Sequence, residues 1–282
     1  MSLIEAIILG LIQGLTEFIP ISSTAHLTIA GKLMGLISPD DPEAWTAFMA
    51  VIQLGTLVAV FVFFHQDIRT IPVMFLKENV TKDRKKILEQ SHESRLGWLI
   101  ILGSIPIVVI GLAFKDFIEG NFTKSLTVIG TSLILLGIIL FIAEKTAKFN
   151  KEIKDLTWKD ALLVGLAQAV ALIPGASRSG TTITAGLFRG MTRETAARFS
   201  FLLSIPAITA SGLLEFFKSL SHISGDQAVN LFVATLVSGI SGYYAIAFLM
   251  NFLKTRTTIP FVIYRIALGA LILVMVAKGV LE

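Results

Sequence analysis

Apolar residues gather into long runs along this chain, and two of the runs are broken where the others are whole. Leu3 to Ile19 is an apolar helical run that carries Gln13 and Glu17 and stops at Pro20. The polar break Ser22-Ser23-Thr24 follows, then a short apolar piece from Ala25 to Leu36. Crossing roughly 30 Å of hydrocarbon takes about 20 residues, so neither piece spans comfortably. Two half-helices meeting at a buried loop, a re-entrant hairpin over about 3–36, is the expected form. Unbroken spans are predicted over about 45–64, 97–114 and 126–143. A second broken run, Trp158 to Ile173 and then Thr182 to Phe188, predicts another hairpin over about 158–189. Three more spans follow at about 199–217, 231–253 and 259–280.

Charge changes this picture by giving it sides. Arg69, Lys77, Lys82, Arg84, Lys85, Lys86 and Arg95 fill the polar segment 65–95, and Lys145, Lys148, Lys151, Lys154 and Lys159 follow the third span. Both segments are expected on the cytoplasmic face, while the link with Lys115 and Lys124 carries few basic residues. The two halves also repeat. Leu9-Gly10-Leu11-Ile12-Gln13 precedes Ile19-Pro20 as Val164-Gly165-Leu166-Ala167-Gln168 precedes Ile173-Pro174, and three spans follow each break. Three is odd, so the second copy is expected to be inverted, its hairpin entering from the cytoplasm and the first from outside. The expected fold is therefore an all-α polytopic membrane protein of about six transmembrane helices plus two re-entrant broken-helix hairpins. It forms one integral membrane domain made of two inverted repeats, 1–145 and 146–282.

Composition agrees with a membrane protein: 54% of residues are hydrophobic and 16% charged. A formal charge of +4 confined to loops argues against a nucleic-acid partner. The absence of cysteine excludes disulfides, thiolate nucleophiles and thiolate metal sites. The N-terminal run lacks a basic flank and a clear cleavage site, so it is not expected to be a signal peptide.

The polar residues inside the broken runs are the candidates for chemistry. Gln13 and Glu17, four apart, project from one face of the first half-helix. An ionised carboxylate there can act as a base, hold a divalent cation, or pair with a buried arginine. Ser22, Ser23 and Thr24 open the second half-helix, and one of them is expected as its N-cap. His26 is close enough in sequence to activate a serine nucleophile, as is Glu17. The remaining histidines, His65, His92 and His222, fall at loops or edges. In the second break, Pro174 to Thr182, Arg178 offers a two-pronged fork for phosphate and Ser177 and Ser179 add donors. Gly175 and Gly180 let backbone N–H groups approach an anion at a helix N-terminus expected near Thr181. Gly175-x4-Gly180 lacks the lysine and the preceding strand of a Walker A loop. Arg265, mid-span, is expected to partner a carboxylate or, less simply, to touch substrate.

Gln13-Gly14-Leu15-Thr16-Glu17 with Pro20, Ser22-Ser23-Thr24 and His26, and Pro174-Gly175-Ala176-Ser177-Arg178-Ser179-Gly180-Thr181-Thr182, resemble the two signatures of the undecaprenyl-diphosphatase family, membrane phosphatases linked to bacitracin resistance. The similarity extends along nearly the whole chain, through Phe199-Ser200-Phe201-Leu202-Leu203 and Ile259-Pro260-Phe261 with Tyr264-Arg265. The resemblance implies hydrolysis of undecaprenyl (C55) diphosphate to the monophosphate and inorganic phosphate, which recycles the lipid carrier for cell-wall polymers. It implies a site in the cytoplasmic (inner) cell membrane open to the outer face and a dependence on Mg²⁺ or Ca²⁺; a homodimer is one assembly open to the chain, whose oligomeric state the residues do not fix. Carried over by position, Glu17, Ser23, His26 and Arg178 are the catalytic candidates. Ser22, Thr24, Gly175, Ser177, Ser179, Gly180 and Thr182 join Arg178 in binding phosphate. Glu17 is the metal candidate with Gln13 a weaker one, since many members have Glu where Gln13 stands.

The expected chemistry is phosphoryl transfer by positioning and electrostatics, with Ser23 as nucleophile or with direct attack by water. A secondary transporter or lipid flippase is the alternative that inverted repeats alone would suggest. A phosphatidic-acid-type phosphatase would need a histidine where Thr184 stands.

Overall fold

A computed structural model describes residues 1–38, 40–82, 84–114, 118, 121–219 and 225–280. Lys115 and His222 lie outside the described residues. The first half forms α1 (Leu3–Glu17), α2 (Ser23–Leu33), α3 (Pro42–Phe63), α4 (His65–Asn79), α5 (His92–Ala113) and α6 (Leu126–Thr146). The second forms α7 (Trp158–Val170), α8 (Arg178–Phe188), α9 (Arg193–Ser219), α10 (Gly225–Thr255) and α11 (Ile259–Ala277). Among the described residues the only strand-like pairing is one bridge between Lys151 and Met191.

Helices α3, α5, α6, α9, α10 and α11 are long and apolar enough to cross a membrane, and they cover the six spans read from the sequence. The four helices of the broken runs have 15, 11, 13 and 11 residues. At about 1.5 Å per residue none of them crosses about 30 Å of hydrocarbon. Arg189, one residue beyond α8, is ion-paired at 2.6 Å to Asp160 in the first turn of α7, so this hairpin begins and ends at one face of the bundle. Met1, beside α1, and Trp45, which touches Gly31 of α2, line one surface cavity near the opposite face.

The polar segment 65–95 differs from an open loop. Ile68, Ile71 and Phe75 repeat at helical spacing and form an apolar stripe, so α4 folds there and packs on α5, with Phe75 against Gly97.

Packing between the halves is reciprocal. α1 lies on α10, the second span of the other half, and α7 lies on α5, the second span of the first. The first spans, α3 and α9, pack together, as do the third, α6 and α11. These four contacts map onto one another when the halves are exchanged. Glycine permits both hairpin crossings. A Cβ on Gly10 would sit 2.4 Å from the Ala234 carbonyl oxygen, and one on Gly165 would sit 2.2 Å from that of Gly103.

Ion pairs tie the basic segments to one face. Asp160 is fully buried and accepts from Thr157, Lys151 and Arg189. Glu144 takes Arg193 and Thr258, and Asp67 takes Arg198. Burial works to raise the pKa of Asp160, but the hydrogen bonds from Thr157, Arg189 and Lys151 outweigh it and hold the group down to about 2. A folded-state pKa below the unfolded value means stability that is present above about pH 4 and lost as pH falls toward the folded pKa. Asp160→Ala strands two cations that are still partly solvated, so it is expected to cost about 1–3 kcal/mol. The measurement is the thermal midpoint in detergent, and an unchanged midpoint would show that this cluster contributes nothing.

Candidate active site

Glu17, the last residue of α1, is buried and accepts three hydrogen bonds. Gln13 Nε2 donates to Oε2 at 3.0 Å, Ser23 Oγ donates to the same oxygen at 2.7 Å, and Arg178 Nη2 donates to Oε1 at 2.8 Å. Gln13 reaches it from one helical turn back. Ser23 reaches it because the chain reverses over residues 18–21, where Phe18 is buried edge-on against Phe201 with ring centroids 5.2 Å apart. Arg178 arrives from the tip of the other hairpin. A guanidinium at bilayer depth costs roughly 2.5–3.5 kcal/mol on insertion scales, and a carboxylate is also costly, so the pair offsets two penalties at once.

Each hairpin turns its chain through a serine in an uncommon conformation. Ser22 caps α2 with φ 76° and ψ 98°, and Ser177 caps α8 with φ 67° and ψ 110°. Their hydroxyls accept from Ala25 N–H at 3.3 Å and Gly180 N–H at 3.2 Å. Positive φ at a residue with a side chain costs on the order of 1–3 kcal/mol and clusters at functional sites. The two helix starts bring free N–H groups and positive dipole ends to the same place.

Glu17, Ser22, Ser23, Thr24, Gly175, Ser177 and Arg178 line one cavity of about 430 Å³. Thr46, Ala50 and Gln53 of α3 and the C-terminal parts of α5 and α9 complete it, so it opens at the end of the bundle opposite Asp160. The α3 residues sit at i, i+4 and i+7, and polar Thr46 and Gln53 on one stripe of an apolar span were the signal for them in the sequence.

The other expected residues lie around this cavity rather than on it. Ser179 Oγ donates to the Ile19 carbonyl at 3.3 Å and so joins the two hairpin turns. Thr182 Oγ1 donates to the Arg178 carbonyl at 2.7 Å and contacts Ser200 Oγ at 2.6 Å, holding the first turn of α8 against α9. Ser200, a polar residue flanked by two phenylalanines, gave no distinctive spacing. The start of α8 is Arg178 rather than Thr181, because Ser177 already supplies the cap.

His26 does not meet Ser23. Its Nδ1 lies 2.7 Å from the Ser22 carbonyl oxygen, which can only accept, so Nδ1 carries the proton. Nε2 then accepts from the Tyr264 hydroxyl at 2.7 Å, and the rings stack with centroids 5.6 Å apart. Ser23 has turned to Glu17 instead. Tyr264, one of two aromatics in an apolar span with Phe261, has no pattern from which this role could be read.

Arg265 is fully buried, and the expected carboxylate partner is absent among the described residues. Nη2 donates to the Ala176 carbonyl at 2.9 Å and Nε to that of Leu133 at 3.4 Å. Gly175, at φ 82°, turns the chain so that the loop carbonyls are not used by a helix, and Arg265 takes one of them. It also occupies the space beside Gly180, where a Cβ would lie 2.3 Å from Nη1. A second cation thus backs the Arg178 loop.

No three His, Asp or Glu side chains converge among the described residues. Glu17 is a single carboxylate, but Gln13 Oε1 beside it is buried without a partner among the described residues. One carboxylate and one amide oxygen fit a hard cation that completes its shell with phosphate oxygens and water.

Comparison with known proteins agrees with this geometry. The family model described as Bacitracin resistance protein BacA matches residues 6–271. The undecaprenyl-diphosphatase of Syntrophobacter fumaroxidans is 59% identical over 278 residues, covering 99% of each chain. Those of Chloroherpeton thalassium and Myxococcus xanthus are 52% and 50% identical, covering the whole of this chain and 99% and 92% of their own. With matches of that length, and with both hairpin tips inside the matched region, the chain belongs to the bacitracin resistance protein BacA family of membrane phosphatases.

Proposed function

We propose that this chain hydrolyses undecaprenyl diphosphate to undecaprenyl phosphate and inorganic phosphate in the cavity between its two hairpin tips. The reaction recycles the lipid carrier for cell-wall polymer synthesis and confers resistance to bacitracin. One observation carries the reading. A serine hydroxyl donates to a carboxylate that is itself ion-paired to an arginine, at the head of a cavity with mostly apolar walls.

Arg178 would bind the diphosphate with the help of the N–H groups at the starts of α2 and α8. An incoming phosphate competes with Glu17 for the guanidinium, which frees the carboxylate to take the Ser23 proton. Ser23 Oγ attacks the terminal phosphorus, a new O–P bond forms, and the bridging P–O bond breaks to release undecaprenyl phosphate. Water then attacks the phosphoserine phosphorus, the Ser23 Oγ–P bond breaks as Glu17 returns its proton to Ser23 Oγ, and inorganic phosphate leaves with the water oxygen. Direct attack by water, with Glu17 as base, is the alternative that the same residues allow. In both, catalysis rests on preorganised charge in a partly dehydrated site. Glu17 and Gln13 would hold Mg²⁺ or Ca²⁺, which when bound supplies positive charge to the diphosphate oxygens. His26, tied to Ser22 and Tyr264, would hold the turn that carries Ser23.

In this reading residues 1–145 and 146–282 are inverted repeats, and the reciprocal packing of α1 on α10 and α7 on α5 supports it. The multi-pass chain would sit in the cytoplasmic membrane with its basic face inside and the cavity open outside.

Purified protein in detergent is expected to release phosphate from the prenyl diphosphate with no second compartment, which a transporter would not do. Arg178→Ala and Glu17→Gln should each lower kcat by about a hundredfold or more. Wild-type rates in both would exclude this site. Rapid quenching during turnover should yield phosphate on Ser23 by mass spectrometry. Phosphate on His26 would overturn the assignment, and a complete single turnover of phosphate release without any phosphoenzyme would select the water route. Because the chain has no native cysteine, Glu43→Cys should react with an impermeant maleimide in intact cells and Lys82→Cys only after permeabilisation. The reverse result would invert the topology.

A further inference from the structure

The head of the cavity is polar, its walls are mostly apolar, and one wall is parted. α5 and α9 touch at Gly103, where a Cβ would lie 2.8 Å from Leu203 Cδ1. Eight residues further along α5, about 12 Å toward the open end, a Cβ on Gly111 would meet no described residue within 4 Å. Between these levels the cavity enters between the two helices, with Gly111 and Leu112 of α5 and Ala210 and Leu214 of α9 in its lining. Each carries an internal proline near that point, Pro106 in α5 and Pro206 in α9, and an internal proline removes a helical hydrogen bond and permits a bend.

The cleft so formed is lined mostly by apolar residues, with Ser211 and Glu215 of α9 the polar exceptions. Val108, Gly111 and Leu112 face it from α5, and Ala207, Ala210 and Leu214 from α9. Its rims are open, with Leu112 69% and Leu214 47% exposed. The other side of α9 is closed, since a Cβ on Gly212 would lie 2.5 Å from Leu54 Cδ2 of α3. A cavity of about 430 Å³ encloses a ligand of drug size. It holds a diphosphate and the beginning of a long prenyl chain, so the remainder must pass into lipid. Glycine inside a helix costs about 1 kcal/mol relative to alanine, and at Gly111 no close approach of another helix among the described residues requires it.

We propose that the prenyl tail leaves the active site through the cleft between α5 and α9, and that Gly111 sets the width of this passage. The inference rests on the phosphatase reading and adds the path of the tail to it. A bulky side chain at Gly111 narrows the cleft where a long tail must cross it, while a short-tailed diphosphate has less chain to pass.

The test is the ratio of kcat/KM for a C55 diphosphate to that for a C15 diphosphate, in detergent. Gly111→Phe is expected to lower this ratio about tenfold or more, the scale on which apolar pockets discriminate by size. Ala210→Leu, across the cleft at an exposed position, should lower it in the same direction. Val109→Phe, on the same helix but outside the cavity lining, should leave the ratio at its wild-type value. A wild-type ratio in both cleft variants would show that the tail takes another path, as would an equal fall in all three. Should Gly111→Phe fail to fold, Ala210→Leu decides alone. If the wild-type protein released phosphate from neither substrate, the phosphatase reading would fall instead.

Discussion

Glu17 and Arg178 stand 161 residues apart in the chain and 2.8 Å apart in the fold. Neither charge is tolerable alone at bilayer depth, where an isolated arginine or carboxylate is costly. Their attraction is strong in low dielectric but must repay the desolvation of both, which it does only when geometry is held closely. Much of the architecture follows from that requirement. Four helices are too short to span, and the two chain reversals between them bring Glu17, Ser23 and Arg178 together within the bundle. Gly10 and Gly165 let the hairpins sit hard against the spans of the opposite half. Ser179 then joins the turns directly through the Ile19 carbonyl.

The site keeps several groups under-used. Ser22 and Ser177 hold positive φ, and Gln13 Oε1 and Arg265 Nη1 are buried without partners among the described residues. Such features are disfavoured in a structure built only for stability. Here they surround a cavity whose chemistry needs donors, acceptors and charge that are not already consumed. Support is spread over the shell behind it: Arg265 and Gly180 behind the Arg178 loop, Ser200 and Thr182 behind α8, and Tyr264 with His26 behind the α2 turn. One hairpin contributes the carboxylate and hydroxyl, the other the guanidinium, so the site exists only where the halves meet.

Much was legible in the chain itself. Runs of apolar residues long enough to span, and Pro20 and Pro174 where two runs break, specify the spans and the reversals, because helix formation and insertion depend on local composition. Glu17, Ser23 and Arg178 stand out because ionisable and clustered hydroxyl groups in apolar segments are expensive unless used. What the tertiary structure decided was partnership. The sequence offered both His26 and Glu17 to Ser23, and the fold assigns Ser23 to Glu17 and His26 to Ser22 and Tyr264. It turns Ser179, Gly180 and Thr182 toward protein, gives Arg265 carbonyls in place of a carboxylate, and leads the cavity between α5 and α9 beyond Gly103. Periodicity records which face of a helix is apolar, but hydrogen-bond partners across 161 or 238 residues depend on how whole helices cross, and that is set by packing of the two halves together.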